Sequence, residues 1–268
     1  MVCIYFSNRD DAAFFQQAVR FSKGKWNVKP QEYQTEFQLI TGTLGQAYED
    51  TVTALVELFR ERKLLGWLEG VLRYSYYYTD PQEIQRILEV AQEYDPSPPE
   101  GHSWPPLFEE VSQNIDQMLQ ETYSVEFDHL CVHVLKAVHQ TLIDYTGKLI
   151  DEYKLEEAHQ LMVDSWRQRV SLRDTGVQLL HIKDDSPFRY YHAEGNELRE
   201  AETLLYMNQY PDSSIRDLPL DWDLTPALVH APDQLIIYSD RQGVGKLELL
   251  VRIFEEKATW KPLKDFPF

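Results

Sequence analysis

The stretch Tyr238–Leu249, YSDRQGVGKLEL, combines residue types and spacing that suggest a phosphate-binding loop. An apolar run precedes it, and Gly243, Gly245 and Lys246 lie where a predicted strand leads into a predicted helix. Backbone N–H groups at a helix start attract anions, and a lysine ammonium group adds positive charge. The alternative is a tight strand-to-helix connection that needs glycine only for its backbone angles.

This loop does not fit the P-loop of nucleotide hydrolases. That pattern, G-x-x-x-x-G-K-[ST], supplies N–H groups that wrap the phosphates, a lysine and a hydroxyl that binds magnesium. Aligning Gly245 and Lys246 with it puts Asp240 at the first glycine and Leu247 at the hydroxyl position. A carboxylate there repels phosphate, and the magnesium ligand is missing, so we exclude a P-loop NTPase.

The segment EFDHLCVH places Glu126, His129 and His133 three and four residues apart on a predicted helix. Imidazole and carboxylate groups on one helix face can share a zinc ion. The pattern is not H-E-x-x-H, because no glutamate follows the first histidine. The alternative is a pair of histidines at the boundary between the buried and the solvated helix face. None of these patterns leads us to predict a bound cofactor or a catalytic residue.

Charge is the strongest feature of the composition, because 26 basic and 44 acidic side chains give a net charge of −18. Between Asp80 and Asp128 the chain has twelve acidic residues and a single basic one, Arg86. A surface of this sign repels nucleic-acid phosphates and anionic lipids, so nucleic-acid binding is not predicted. The segment is either a solvated face or, through Glu109 and Glu110, a docking surface for a basic protein partner.

The sequence ends in DFPF, which places Phe266 and Phe268 two residues apart at the C-terminus. Exposed phenylalanines promote aggregation, so these rings have two plausible roles. They either tuck into a groove of the same chain or offer an apolar anchor to a protein partner.

Cysteine content and hydropathy bear on the cellular compartment. Cys3 and Cys131 are far apart in sequence and suggest no disulfide framework, which fits a reducing compartment. The N-terminal residues lack the pattern of a signal peptide, and no apolar run approaches the ~18 to 20 residues of a membrane helix. We therefore expect a cytoplasmic protein without an integral membrane segment.

Hydrophobic periodicity predicts an α+β fold in three parts. Residues 1–43 combine strand and helix patterns in a small N-terminal α/β element. Residues 44–172 are predicted to be helical, with a proline-rich loop at 95–106. Residues 173–268 are predicted to form a C-terminal α/β unit with a β-hairpin and a strand–helix–strand end.

The predicted hairpin consists of VQLLHIKD and FRYYHAEG, joined by DSP. Each of its strands contains one histidine, and we expect His181 and His192 to face each other across the hairpin. Two imidazoles without an obvious carboxylate are a weak indication of metal binding.

Four segments, mostly in the C-terminal half, resemble the YtxC-like family of sporulation proteins. They are LIDEYKLEEAHQLMVDSWRQRV (Leu149–Val170), YYHAEGNEL (Tyr190–Leu198), LVHAPDQLIIYSD (Leu228–Asp240) and IFEEKATWKPLKDFPF (Ile253–Phe268). The resemblance is clear over these residues and looser through the helical middle, and the order of the segments carries it. It implies a role in sporulation, by the family's name and distribution, and it implies no reaction, cofactor or catalytic residue.

The leading interpretation is a sporulation-associated, non-enzymatic protein-interaction module in the cytosol. It rests on the acidic segment, the aromatic C-terminus and the failure of the catalytic patterns. One alternative is an anion- or nucleotide-sensing module, or an enzyme, that uses the loop Asp240–Lys246. Another is a metal-dependent hydrolase built on Glu126, His129 and His133. The sequence does not specify the partner or the oligomeric state.

Overall fold

The computed structural model describes residues 2–22, 24–41, 44–94, 103–122, 124–209, 221–241, 243 and 245–268. Helices and two mixed sheets within these ranges confirm the predicted α+β class. Most of the proline-rich loop predicted at 95–106 lies outside the described ranges.

The chain divides into two compact units, Met1–Leu155 and Glu156–Phe268. The division predicted from the sequence, into 1–43, 44–172 and 173–268, stays a prediction. Compactness alone does not show which parts of a chain fold independently.

A mixed sheet of the first unit joins its N-terminal strands to a strand far along the chain. The strands are β1 (Cys3–Phe6), β2 (Lys25–Pro30), β3 (Thr35–Thr41) and β4 (Ser124–Glu126). Their order is β2-β3-β1-β4, and β1 pairs antiparallel with β3 and parallel with β4. The strand patterns of residues 1–43 are VCIYF (Val2–Phe6) and YQTEFQLI (Tyr33–Ile40), which predict β1 and β3. The sequence pattern misses β2, which shows little alternation, and the three-residue β4.

Seven helices are described from Arg9 to Leu172, and the last of them runs through the boundary between the two units. They are α1 (Arg9–Ala18), α2 (Leu44–Arg62), α3 (Leu64–Tyr74), α4 (Pro81–Tyr94), α5 (Leu107–Glu121), α6 (Phe127–Ala137) and α7 (His139–Leu172). The sequence Asp80-Pro81 predicts a helix start, with an N-cap and a proline at the first helical position, and α4 begins there. Asp80 Oδ1 accepts a hydrogen bond from the Gln82 N–H at 2.8 Å. Within the described ranges, no helix combines the length and apolar content that a bilayer span requires.

The core of the first unit is built around aromatic rings from its sheet and helices. The Phe6 ring centroid lies 5.2 Å from that of Phe15, 5.4 Å from that of Phe37 and 5.1 Å from that of Phe127. All four side chains are buried. Because they come from β1, α1, β3 and α6, their packing ties the sheet to the helices around it.

Among its described residues, the second unit has a five-stranded sheet and three helices besides the end of α7. Its strands are β5 (Leu179–Lys183), β6 (Arg189–His192), β7 (Glu197–Leu198), β8 (Gln234–Tyr238) and β9 (Ala258–Lys261). Its helices, after the end of α7, are α8 (Glu200–Gln209), α9 (Thr225–His230) and α10 (Gly245–Phe254). The sheet order is β7-β6-β5-β8-β9, with β5, β8 and β9 parallel and the pairs β5–β6 and β6–β7 antiparallel.

The two faces of this sheet differ in what they contact. Leu180 and Ile182 of β5 are fully buried in the core that also contains Leu250 of α10. Successive side chains of a strand point to opposite faces. His181 and Lys183 therefore lie on the face away from that core, and this face is the one that the C-terminal residues reach.

Candidate functional site

The C-terminal phenylalanines pack on the sheet face of the second unit that bears His181, Tyr191 and Tyr238. The ring centroid of Phe266 lies 5.1 Å from that of Tyr191 and 5.3 Å from that of Tyr238. The Phe268 centroid lies 5.3 Å from that of His181, and the two phenyl rings are 5.6 Å apart. We call these five side chains the tail face.

Two neighbouring loops hold the C-terminal residues in this position. The Leu263 N–H donates to Asp240 Oδ1 at 3.0 Å, at the turn that follows β9. Gly195 follows β6 with φ +90°, and a Cβ atom there would lie 2.7 Å from the Phe268 ring. Glycine therefore serves both the backbone angle and the close approach of the ring.

The tail face is in contact with its own chain and is also open to solvent. Phe266 is partly buried, whereas Phe268 keeps 51% of its surface exposed. The Lys183 ammonium lies 5.5 Å from the Phe266 ring centroid, within cation–π range. The contacts correspond to the tucked alternative of the sequence, and the exposure leaves Phe268 accessible to a partner.

Cations line the tail face although the whole chain is acidic. The strand register places Arg189, Lys183, Tyr238 and Lys261 side by side across four strands on one face. Asp185 is one acidic neighbour, 3.4 Å from Lys183 Nζ and 3.5 Å from Arg189 Nε. Glu197 also acts on Arg189 and Asp265 on Tyr238, so the three cations of this face lie among carboxylates.

His181 and Tyr238 form the polar centre of the tail face. His181 Nδ1 lies 3.0 Å from the Tyr238 hydroxyl, and the two rings stack at 5.7 Å. Burial, with a smaller contribution from Lys261, lowers the pKa of His181. Burial and the charge of Asp265 raise the pKa of Tyr238. Both groups are therefore uncharged at neutral pH, which suits a surface that stacks aromatic rings.

The predicted anion loop directs its lysine toward carboxylates. Lys246 Nζ lies 2.9 Å from Asp221 Oδ2 and 2.7 Å from Asp223 Oδ2. Hydrogen bonds to Asp223 and Asp221 raise the pKa of Lys246. Asp223 also accepts a hydrogen bond from the Phe188 N–H at 2.9 Å, so the acidic pair is fixed to the hairpin loop. An anion at Lys246 has to compete with two carboxylates that are already in place.

The other end of the loop is fixed by a buried carboxylate. Arg241 Nε lies 2.9 Å from Asp184 Oδ2, and the Ser239 hydroxyl donates to the same carboxylate. These hydrogen bonds, that of Arg241 first, hold the pKa of Asp184 below its usual range although burial opposes them. Sequence spacing could not find this pair, because 57 positions separate its partners.

A cleft of about 620 Å³ lies beside Gly243, whose φ is +85°. Its other lining residues are Glu248, Val251, Arg252 and Trp260. The positive φ agrees with the tight connection that the sequence offers as the alternative to an anion site. Arg252 is the basic residue among those that line the cleft.

Of the predicted metal ligands, His129 and His133 lie on the exposed side of α6, whereas Glu126 is the last residue of β4 and precedes the helix. His129 Nδ1 is 3.7 Å from Glu126 Oε2, and both side chains are exposed. His133, one turn further along, is also exposed. Over the described part of the chain, no three His, Cys, Asp or Glu side chains converge to hold a metal ion. The metal site stays a prediction.

The two glutamates of the predicted docking surface have different surroundings at the start of α5. Glu109 is exposed. Glu110 is partly buried, and its Oε2 accepts a hydrogen bond from the Thr141 hydroxyl at 2.5 Å. Glu109 is therefore the more accessible of the two for a partner.

The expectation that the two hairpin histidines face each other is wrong. His181 pairs with Tyr191, whereas His192 pairs with Leu180. Because a shift of one residue turns a side chain to the opposite face, the two imidazoles lie on different sides of the sheet. His192 Nε2 instead lies 3.1 Å from Glu202 Oε1 of α8.

Comparison with known proteins supports the resemblance seen in the sequence. The model of the YtxC-like family matches residues 49–259. An uncharacterized protein, YtxC of Bacillus subtilis (strain 168), is 25% identical over 277 aligned positions, which cover 99% of this chain and 96% of that protein. No solved structure matches. The chain belongs to the YtxC-like family.

Proposed function

We propose that this chain is a non-enzymatic protein-interaction module of the sporulating cell, and that the tail face binds its partner. The setting follows from the family resemblance. The binding surface is argued from the contacts of the second unit.

The arrangement of Phe266 and Phe268 is the observation that carries the proposal. Aromatic side chains dominate the energy of protein interfaces when they enter a pocket of the partner. Here two phenyl rings are held by Tyr191, Tyr238 and His181, and Phe268 is still half exposed. A ring that is already ordered loses little conformational entropy on binding. Most of the free energy gained by burying it therefore contributes to affinity.

The charges around the tail face indicate what a partner would bring to it. The mixed charges at its edge favour a partner with both acidic and basic groups beside an apolar pocket. The acidic segment of the first unit, through Glu109 and Glu110, favours basic groups instead. We assign the anchor to the tail face and a steering role to the acidic segment, because exposed charges affect association rates more than affinity.

The alternative function, an anion or nucleotide site at Gly243, Gly245 and Lys246, has one supporting observation. Arg252 lines the cleft beside Gly243. We rank this function second because Asp221 and Asp223 already neutralise Lys246. A hydrolase that uses Glu126, His129 and His133 ranks third, since these exposed side chains would need a further ligand.

Affinity capture from a lysate of sporulating cells tests the proposal with three forms of the chain. They are the full chain, a chain that ends at Asp265, and the full chain with Leu161→Ser. Leu161 is a similarly exposed apolar residue of the second unit, so its replacement controls for nonspecific binding through exposed apolar side chains. We expect a discrete partner that the full chain and L161S capture equally and that the shortened chain loses.

Two results would contradict this assignment. If all three forms captured the same proteins, the tail face would not be the anchor. If no partner appeared and a phosphate compound raised the melting temperature of the full chain but not of Lys246→Ala, the anion site would replace it.

A further inference from the structure

The end of α3 and the loop that follows it present two tyrosines to solvent. Tyr74 is 81% exposed and Tyr77 is 80% exposed. Tyr76 is 37% exposed and Tyr78 is partly buried, and both contact other parts of the first unit. Single exposed aromatic side chains are common, but several close together form the kind of patch that marks a binding surface. We call residues 74–78 the tyrosine loop.

Inward contacts of Tyr76 and Tyr78 hold the tyrosine loop in place. The Tyr76 hydroxyl donates to the Ile143 carbonyl oxygen at 3.1 Å. A Cβ atom at Gly147 would lie 2.6 Å from that hydroxyl, so glycine makes room for it. Tyr78 packs against the core, and its N–H donates to the Leu72 carbonyl oxygen at 2.9 Å. The two outward rings therefore project from a fixed backbone.

Tyr77 occupies a backbone conformation that favours glycine. Its φ is +60°, just after the end of α3, where a chain that leaves a helix commonly uses glycine. A bulky residue is strained there, and its exposed ring gains no packing in return. Helix termination alone does not account for a tyrosine at this position, whereas contact with a partner does.

Carboxylates outnumber cations around the tyrosine loop. Burial and then the charges of Asp144 and Asp151 raise the pKa of Tyr76, which places both carboxylates near the loop. The charge of Lys154 lowers the pKa of Tyr78 and that of Glu83 raises it, so both of these groups also lie near the loop. Arg73, which precedes Tyr74 in sequence, is paired with Glu69 at 2.9 Å, and Asp80 follows the loop in sequence.

We propose that the tyrosine loop docks an arginine-bearing segment of a partner protein. A guanidinium group stacks on the face of Tyr74 or Tyr77, and the surrounding carboxylates compensate its charge. Nucleic-acid bases also stack on tyrosine, but this needs basic neighbours, and here they are acidic. The site lies in the first unit and does not depend on the tail face.

Fluorescence anisotropy with a labelled peptide of alternating arginine and glycine tests this site on the full chain. The test variant combines Tyr74→Ser with Tyr77→Asn, because asparagine tolerates positive φ. The control is Tyr33→Ser, since Tyr33 is 82% exposed elsewhere in the same unit. We expect the Kd to rise about tenfold or more in the double variant and to stay unchanged in Y33S.

Further measurements separate docking from folding and test whether the guanidinium charge is needed. The melting temperature of the double variant should equal or exceed that of the parent, so lost binding cannot reflect lost structure. A peptide with citrulline in place of arginine should not bind. Equal Kd values for all three proteins, or equal binding of the citrulline peptide, would overturn the proposal. Binding to phosphatidylcholine vesicles should also be measured. If the parent chain bound them and the double variant did not, the tyrosine loop would recognise a choline headgroup and the proposal would be overturned.

Discussion

His230 is the single residue whose protonation should affect the second unit most. Its side chain is 3% exposed at the end of α9. Its Nε2 lies 3.3 Å from the Thr203 hydroxyl, and its ring centroid lies 4.9 Å from that of Tyr206. Burial, assisted by His192 and opposed by Glu202, lowers the pKa of His230 to about 4. The folded chain therefore holds this imidazole neutral.

This burial predicts a loss of stability in mild acid. In an unfolded chain the pKa of the imidazole is near 6.5. Below that pH the unfolded state therefore binds a proton that the buried His230 of the folded state does not bind. The contribution of His230 to the free energy of unfolding should fall as the pH drops from about 6.5 to 4, by at most about 3 kcal/mol, and then level off, whereas protonation of Asp184 continues the loss at lower pH. Urea unfolding at several pH values measures this slope.

The variant His230→Gln should flatten this part of the pH dependence, because an amide does not titrate. The matched control is His159→Gln on α7, since His159 is exposed. Its slope should equal that of the parent chain. A slope that His230→Gln leaves intact would mean that other groups cause the acid sensitivity.

At the scale of elements, we expect the packing of the C-terminal segment that follows β9 to depend on Gly195. Gly195→Ala forces a side chain into φ +90° and places Cβ 2.7 Å from the Phe268 ring. The backbone strain costs roughly 1 kcal/mol or more, and the ring must also leave its place. We expect carboxypeptidase to release Phe268 faster from this variant than from the parent.

Gly176→Ala separates these two effects. Gly176 has φ +74°, but a Cβ atom there would meet nothing within 4 Å. This variant should therefore lose comparable stability in urea while Phe268 is released at the parental rate. If both variants released Phe268 at the same rate, backbone strain would be what exposes the C-terminus, and the displacement of the Phe268 ring would not be.

The elements that the sequence predicts are those with local signals. The strand pattern of β8 and the Asp80–Pro81 start of α4 depend on residues close to one another, so periodicity and capping find them. The position of the Phe268 ring and the partners of Lys246 depend on strand register and on contacts between residues more than twenty positions apart in sequence. Residue type marks such side chains as candidates, but only the fold shows what they contact.

At the scale of the whole molecule, negative charge is not evenly distributed. The chain carries −18 in total, and twelve acidic residues lie between Asp80 and Asp128. The tail face of the second unit instead has Lys183, Arg189 and Lys261 at its edge. The excess of acidic side chains over the whole chain should also affect folding itself.

A chain with this excess of acid repels itself most strongly in its compact state. Salt screens that repulsion, with a Debye length of about 8 Å at physiological ionic strength. The melting temperature should therefore rise with sodium chloride from low ionic strength and approach a plateau by about 0.5 M. A fall would mean that ion pairs, such as those of buried Asp11 with Arg62 and Lys63, outweigh the repulsion.

Neutralising part of the acidic segment tests where the repulsion arises. Replacing the exposed Glu89, Glu93 and Glu109 by glutamine removes three charges and should weaken the rise in melting temperature with salt. Exposed neutral residues of the same helices provide the control, with alanine at Gln82, Gln92 and Gln113. That control should keep the parental response to salt. If both triple variants respond alike, the repulsion is spread over the chain and the acidic segment has no special part in it.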